Sequence, residues 1–183
     1  EDVQGRILYP DPATGSRLDY IAADVPRAAD EALHPKARIK IYLTRNWKRC
    51  EKMLIIIQGH GGVRPGIWSR SLCLESNLQA GSMLGLLERA AREGYGVAVL
   101  NPNENTVKVQ DERSFHVQVR KLKVLHSRSP EEHVTYFLDH FLPQSACSDV
   151  FVLAHAYGAV ALRNVLVARH DQPGLLGKVR AMA

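Results

Sequence analysis

Three short runs of apolar, largely β-branched residues constrain the fold more than any other feature of this sequence. They occupy residues 54–57, 96–100 and 150–153, and continuous runs of this kind are typical of strands buried on both faces of a sheet. Helical patterns lie between them, over about 79–92 and from residue 130 onwards. This alternation predicts an α/β fold with a mainly parallel sheet and helices on both faces.

The helix that begins near residue 130 has the clearest local start signal. Ser129 can cap it, Pro130 suits its first position, and Glu132 completes a capping box. A stripe of apolar residues then recurs at helical spacing: Val134, Phe137, Leu138 and Phe141. The sequence therefore predicts an amphipathic helix packed on the sheet.

The rest of the chain divides into a few segments. Residues 1–37 are broken by prolines and predict an irregular N-terminal segment, whereas 39–43 alternate as in a half-buried strand. Residues 106–128 have no clear period and predict a long surface loop or insertion. We therefore expect one domain over 38–183, incomplete at its C-terminal end, in which 178–183 begin a further strand.

Composition places the chain among soluble globular proteins. Of its 183 residues, 45% are hydrophobic and 23% are charged, which is enough to bury a core in about one domain. No apolar run approaches the ~18 residues of a membrane span. The first residues show no secretory signal, and the absence of an initiator Met suggests that the upstream end is cut off. Three widely spaced cysteines without a C-x-x-C pair predict free thiols in a reducing compartment, the cytoplasm or nucleus.

The formal net charge of +5 conceals a segmental pattern. Residues 38–52 sum to +5 and 106–128 to +4, whereas 1–37 sum to −3 and 129–150 to −4. A nucleic-acid interface would need such basic segments, but no nucleic-acid motif accompanies them. We interpret them as a solvated turn and a solvated loop, and direct nucleic-acid binding is the weakest of three functional hypotheses.

Residues 151–159 have the form of a nucleophile elbow, the sharp turn between a strand and a helix that exposes a catalytic serine. Its neighbours two positions before and after must be small, and Ala154 and Gly158 satisfy this requirement. The central residue is Ala156, flanked by His155 and Tyr157. A methyl group cannot attack a carbonyl, so acyl transfer by the usual route is excluded, and no catalytic residue is predicted to be intact.

A glycine-rich segment follows the strand at 54–57. Such a loop commonly supplies the N–H groups of an oxyanion hole, which makes Gly59, His60 and Gly61 the candidate oxyanion residues. It is not a phosphate loop, because the G-K-[ST] ending is missing. After Ala156, the only acid and histidine are Asp171 and His170, which are adjacent and cannot complete a triad.

The remaining candidates carry less weight. His133 and His140 are seven residues apart on one helix, and no zinc-binding spacing is present, so we predict no metal site and no cofactor. His155 is expected to pack beside the elbow rather than to catalyse. Cys147 is predicted to be a core thiol, and Trp68 a core residue or, less favoured, a pocket wall.

Four segments together resemble the Argonaute-binding-protein-2 (Arb2) domain, found in vertebrate cotranscriptional regulators and after the catalytic domain of some fungal class II histone deacetylases. The most specific are the Asn-Pro-Asn-Glu-Asn run at 101–105 and the Ser-Pro-Glu-Glu-His run at 129–133; the glycine loop and the elbow complete the set. The resemblance covers residues 52–105 and 129–183, which is 109 of 183.

The resemblance implies an α/β-hydrolase-like fold, a nuclear and cytoplasmic protein, and Argonaute binding. It further implies a role in small-RNA-directed heterochromatin silencing or, in vertebrates, alternative splicing. Vertebrate members carry serine where this chain has Ala156, and histidine where it has Gln58. The favoured hypothesis is therefore a non-catalytic pseudo-hydrolase that acts as an interaction module without a membrane partner; the alternative is a serine hydrolase inactivated at Ala156 or by truncation.

Overall fold

The computed structural model describes residues 18–22, 40–59, 61–110, 119–124, 126–171 and 177–183. Its strands are β1 (Leu18–Ala22), β2 (Lys40–Thr44), β3 (Lys52–Ile57), β4 (Gly96–Val99), β5 (Thr106–Gln110), β6 (Val119–Lys123), β7 (Asp149–Ala154) and β8 (Val179–Met182). Its α-helices are α1 (Arg70–Glu75), α2 (Leu78–Gly81), α3 (Leu84–Arg92), α4 (Pro130–Tyr136) and α5 (Tyr157–Ala168). A π-helical turn, Phe137–Phe141, and a 3-10 turn, Leu142–Gln144, extend α4.

Six strands form one sheet in the order β1-β2-β4-β3-β7-β8. The β1–β2 and β2–β4 pairs are antiparallel and the other three pairs are parallel. Only β2 therefore runs in the opposite direction to the other five strands of this sheet. Crossovers through α3, α4 and α5 join the parallel strands, which confirms the predicted α/β class with a mainly parallel sheet.

Alternate residues of the central strand enter two separate cores. Ile55 and Ile57 belong to the larger core, together with Val134 from α4 and Leu162 from α5. Ile56 belongs to the smaller one, which contains the buried residues of α3. Helices therefore cover both faces of the sheet, as the uninterrupted apolar run in β3 requires.

The helix predicted over 79–92 is two helices. Its residues 82 and 83 leave the helical conformation, and Ser82 forms an isolated antiparallel bridge with Ile67. The Met83 N–H donates to the Gly66 carbonyl at 2.9 Å, so pairing with the preceding loop replaces the helical hydrogen bonds. Gly94 ends α3 as predicted, with a φ of 77° that glycine adopts without strain.

Two segments predicted to lack regular structure contain strands. Within residues 1–37, Leu18–Ala22 form β1 and pair with β2 along the whole of β1, so part of that segment belongs to the sheet; its other residues lie outside the described ranges. Within 106–128, β5 and β6 form a two-stranded antiparallel sheet of their own. Each of these strands is too short to show a persistent period in the sequence.

The start of α4 follows its sequence signal with one change. The Ser129 hydroxyl accepts the Glu132 N–H at 3.1 Å, with Pro130 at the first turn. The Glu132 carboxylate, however, accepts the N–H of Arg128 at 2.6 Å rather than that of Ser129. The predicted apolar stripe is buried, although three of its four residues, Phe137, Leu138 and Phe141, lie in the π-helical turn. Among the described residues, no helix is both long and apolar enough to cross a bilayer.

Candidate functional site

The turn between β7 and α5 has the geometry predicted for an elbow. Ala156 has a φ of 51° and a ψ of −122°, a region that residues other than glycine rarely occupy. The His155 N–H donates to the Ile57 carbonyl at 2.9 Å, and the Gly158 N–H donates to the His155 carbonyl at 2.9 Å. The turn is thus fixed both to its own first residue and to the end of β3.

Gly158 is small because the backbone of β3 leaves no room for a side chain. A Cβ at this position would lie 2.5 Å from the carbonyl oxygen of Ile57 and 2.6 Å from that of Gln58. Both obstacles are backbone atoms of a central strand and its continuation, which cannot move aside cheaply. The structure therefore supplies the physical reason for the small residue that the elbow pattern requires.

The glycine loop, residues 58–62, lies beside the elbow. A Cβ on Gly59 would lie 3.0 Å from the Ala156 Cβ and 3.3 Å from the His155 carbonyl oxygen. Gly61 has a φ of 110° and faces open space, whereas His60 lies outside the described residues. The structure brings one of the three candidate oxyanion residues, Gly59, against the apex of the turn.

The rings of Trp68 and His155 form one wall beside this apex. Their centroids are 5.6 Å apart, and the ring planes are inclined by 63° in an edge-to-face contact. Trp68 is half-buried and packs partly on the smaller core, so it is both a core contact and a wall of the site. His155 packs beside the elbow, as expected.

The asparagine loop, residues 101–105, braces the glycine loop. The Asn103 side-chain amide donates to the carbonyls of Gly59 at 2.5 Å and Val63 at 3.3 Å. Asn101 donates to the Glu104 carboxylate at 2.6 Å, and that carboxylate also pairs with Arg64. These bonds tie the glycine loop to the asparagine loop.

His133 joins the asparagine loop to α4. Its Nε2 accepts the backbone N–H of Asn101 at 3.1 Å, so the neutral ring carries its proton on Nδ1, which lies 3.0 Å from the Ser127 hydroxyl oxygen. Burial lowers the pKa of His133 to about 4, because charging the ring would remove a cation from water. His133 is therefore a neutral structural link and not a general base at neutral pH.

Gln58 extends this network under the site. Its side chain is 1% exposed, and its amide donates to the Asn101 side-chain oxygen at 3.5 Å. Sequence reasoning identified the asparagine run and the helix start only as signs of a family. It did not assign Asn101, Asn103 or His133 a role, although several amides and a histidine beside predicted strand ends are a recognisable signal of a buried polar network.

The other candidates are not brought to the elbow. His170 and Asp171 are exposed and paired at 3.0 Å, beyond the end of a helix that is about 18 Å long. Asp139 forms a bidentate pair with Arg169, with both nitrogen–oxygen distances at 2.6 Å. Among the described residues no group of histidine, cysteine or acidic side chains could hold a metal ion. Cys147 is buried and unpaired, which confirms the predicted core thiol.

The basic turn after β2 and the β5–β6 strands occupy different ends of the sheet, whereas Lys40, at the start of the antiparallel strand β2, lies at the same end as β5. Residues 45–51 precede the amino end of β3, whereas β5 and β6 follow the carboxyl end of the parallel neighbour β4. The site itself combines a strained apex, an adjacent glycine loop and buried polar bracing. Because Ala156 supplies only a methyl group at the apex, the arrangement offers no nucleophile there.

Comparison with known proteins places these features in a family. The Arb2 domain matches residues 21–183. The Cotranscriptional regulator ARB2A of human is 32% identical over 173 aligned positions, which cover 73% of this chain and 41% of the relative; the chicken homologue gives the same values. A homologue from Dictyostelium discoideum is 26% identical over 142 positions, covering 66% of this chain and 37% of the relative.

The chain thus spans about two fifths of the length of the curated relatives it matches. No solved structure matches it significantly. The matched region contains the elbow, the glycine loop, the asparagine loop and the capped start of α4. The chain belongs to the Arb2 domain family.

Proposed function

We propose that this chain is an α/β-hydrolase-like pseudoenzyme that serves as a protein-interaction module of a cotranscriptional regulator. The glycine loop follows β3 and precedes the first helix, and the elbow follows a parallel strand that pairs directly with β3. These are the places where α/β-hydrolases hold their oxyanion hole and their nucleophile.

The observation that carries this proposal is the methyl group of Ala156 at the apex of an otherwise intact elbow. With no hydroxyl at the apex, the turn offers no attacking group, while the walls and the bracing around it remain. A braced surface of this kind can still bind a partner. The name of its relatives, cotranscriptional regulator, supports partners associated with chromatin.

The partners that we propose are Argonaute and proteins of chromatin, silencing or splicing complexes, in the nucleus and the cytoplasm. The proposed process is small-RNA-directed heterochromatin silencing or alternative splicing. These proposals rest on the resemblance to the Arb2 domain, which covers about two fifths of the length of the relatives.

A pull-down tests the proposal. Tagged purified chain is expected to retain Argonaute or nucleosomal proteins from a nuclear extract, and purified Argonaute should then be retained in the absence of other proteins. His155→Ala, beside the apex, should weaken retention, whereas His170→Ala, at the far end of α5, should not. Failure to retain either class of partner would contradict the proposal.

The second candidate is a serine hydrolase inactivated at Ala156. The observation that favours it is the positive φ of Ala156, a strained geometry that a catalytic serine needs and a methyl group does not. Full-length Ala156→Ser protein should then react with a fluorophosphonate probe, whereas Ala159→Ser, on the first turn of α5, should not. An unlabelled Ala156→Ser protein would count against this candidate.

A further inference from the structure

The β5–β6 ribbon presents lysines on one of its faces. In its antiparallel register Lys108 lies opposite Lys121, and Thr106 lies opposite Lys123. Directly opposed residues share a face, as do residues two apart on one strand. Lys108, Lys121 and Lys123 therefore lie together, and all three are exposed. We call this set the lysine face.

This face is not neutralised within the part of the chain that the structure describes. Neither strand contains an acidic residue, and the ion pairs of the described residues involve none of the three lysines. Like charges placed directly opposite each other in a ribbon are destabilising. A surface that holds them there has electrostatic free energy to gain from an anionic ligand.

The base of the ribbon is held firmly to the site already described. The Val124 N–H donates to the Asn105 carbonyl at 3.0 Å, and the Asn105 amide donates to the Ser127 carbonyl at 2.9 Å. The His126 ring stacks on Tyr136 of α4, with centroids 4.8 Å apart and planes within 13°. The lysine face therefore projects from the same end of the sheet as the asparagine loop.

We infer that the lysine face is a docking surface for an acidic polypeptide segment bound in extended form. Each strand of the ribbon pairs with only one other strand among the described residues, so its outer edge can add a peptide strand through backbone hydrogen bonds. Acidic side chains at alternate peptide positions would then meet the lysines. Nucleic acid cannot use the strand edge, and three lysines give few phosphate contacts.

The inference deepens the proposed interaction role but rests on residues outside the elbow. It is tested by fluorescence anisotropy on the purified chain, with a labelled nine-residue peptide of alternating Glu and Val. The matched peptide of alternating Gln and Val and an oligouridylate serve as comparisons. Because no Argonaute or chromatin protein takes part, peptide binding can fail while the pull-down succeeds, and the reverse.

The triple variant Lys108→Gln, Lys121→Gln, Lys123→Gln should weaken binding of the Glu peptide about tenfold, since exposed charge pairs contribute modestly and tenfold is about 1.4 kcal/mol. The control variant Lys48→Gln, Arg49→Gln, Arg92→Gln removes the same charge from exposed positions at the opposite end of the sheet. It should leave the affinity within about twofold of wild type, a difference of ~0.4 kcal/mol.

A charge reversal keeps the test decisive if the glutamine variant folds poorly. Lys108→Glu with Lys121→Glu should lose the Glu peptide and gain a peptide of alternating Lys and Val. Three results would each overturn the inference. The Gln and Glu peptides could bind equally, or oligouridylate could bind more tightly than the Glu peptide. Finally, the triple variant could aggregate while the wild-type chain binds no peptide. The last result would show that the lysines only keep the ribbon edges from pairing.

Discussion

The Ala156→Gly variant should have a higher free energy of unfolding than a variant with the same alanine-to-glycine change at a nearby, unstrained position. At a φ of 51° and a ψ of −122°, the backbone conformation that the turn imposes costs about 1–3 kcal/mol for alanine, whereas glycine adopts it freely. Glycine also raises the entropy of the unfolded chain, which lowers the free energy of unfolding by about 0.4–1 kcal/mol. Ala156 is exposed, so truncating its methyl group removes little buried surface.

The matched control is Ala159→Gly, three residues later in the first turn of α5. Ala159 is also exposed, but its helical backbone gives glycine no advantage, and this change should cost about 0.5–1 kcal/mol. The entropy of the unfolded chain is common to both variants and cancels in their difference. That difference therefore reports the strain alone, about 2 kcal/mol in favour of Ala156→Gly.

Urea and thermal unfolding of the purified chain measure the difference. For a chain of this size, about 2 kcal/mol separates the two melting temperatures by roughly 4–8 °C, with Ala156→Gly the higher. Equal losses of stability in the two variants would refute the reasoning, because they would mean that the apex of the elbow stores no strain.

Three further predictions follow from the bracing of the site. Gly158→Ala should destabilise by about 1–3 kcal/mol in urea unfolding, because its Cβ would overlap two β3 carbonyl oxygens, whereas Gly62→Ala, in open space, should be nearly neutral. Ser129→Ala should lower the unfolding free energy by about 1 kcal/mol through loss of the α4 cap. The folded-state pKa of His133, about 4, lies below its unfolded value of about 6.5, so the unfolded state binds the extra proton between these pH values. The stability that the neutral ring contributes is thus complete above about pH 6.5 and falls by up to ~3 kcal/mol as the pH drops towards 4. The free energy of unfolding, measured against pH, should therefore fall less steeply in His133→Gln. An unchanged pH dependence in that variant would contradict this assignment.

The sheet could be predicted from the sequence because its central strands are buried on both faces. Such strands need uninterrupted apolar residues, and the runs in β3, β4 and β7 are visible without any structure. The ribbon strands have only five residues each, which is too few positions for an alternating pattern to stand out from a loop. The break between α2 and α3 depends on pairing between Ser82 and Ile67, a tertiary contact that no helical pattern reveals.

The elbow was predictable for a different reason. The turn needs small side chains two positions before and two positions after its central residue. Ala154 and Gly158 meet this requirement, and the whole pattern lies within five consecutive residues. The bracing was not predictable in this way, because Asn103, His133 and Gln58 come from three separate segments and meet only in the folded chain. Their residue types signal a polar network, but only the sheet order sets which partners they reach.

The geometry of the elbow does not depend on a nucleophile, and this explains how the turn can exist around alanine. Parallel pairing aligns Ile57 with Ala154, which places the Ile57 carbonyl to accept the His155 N–H and brings Gly158 against the same strand end. Neither contact involves the side chain of residue 156. A serine can therefore be exchanged for alanine at the apex without loss of a contact that shapes the turn, and the strain remains because β3 and β7 impose it. The contacts that shape the turn therefore do not depend on the side chain at the apex, which is consistent with the proposed interaction module.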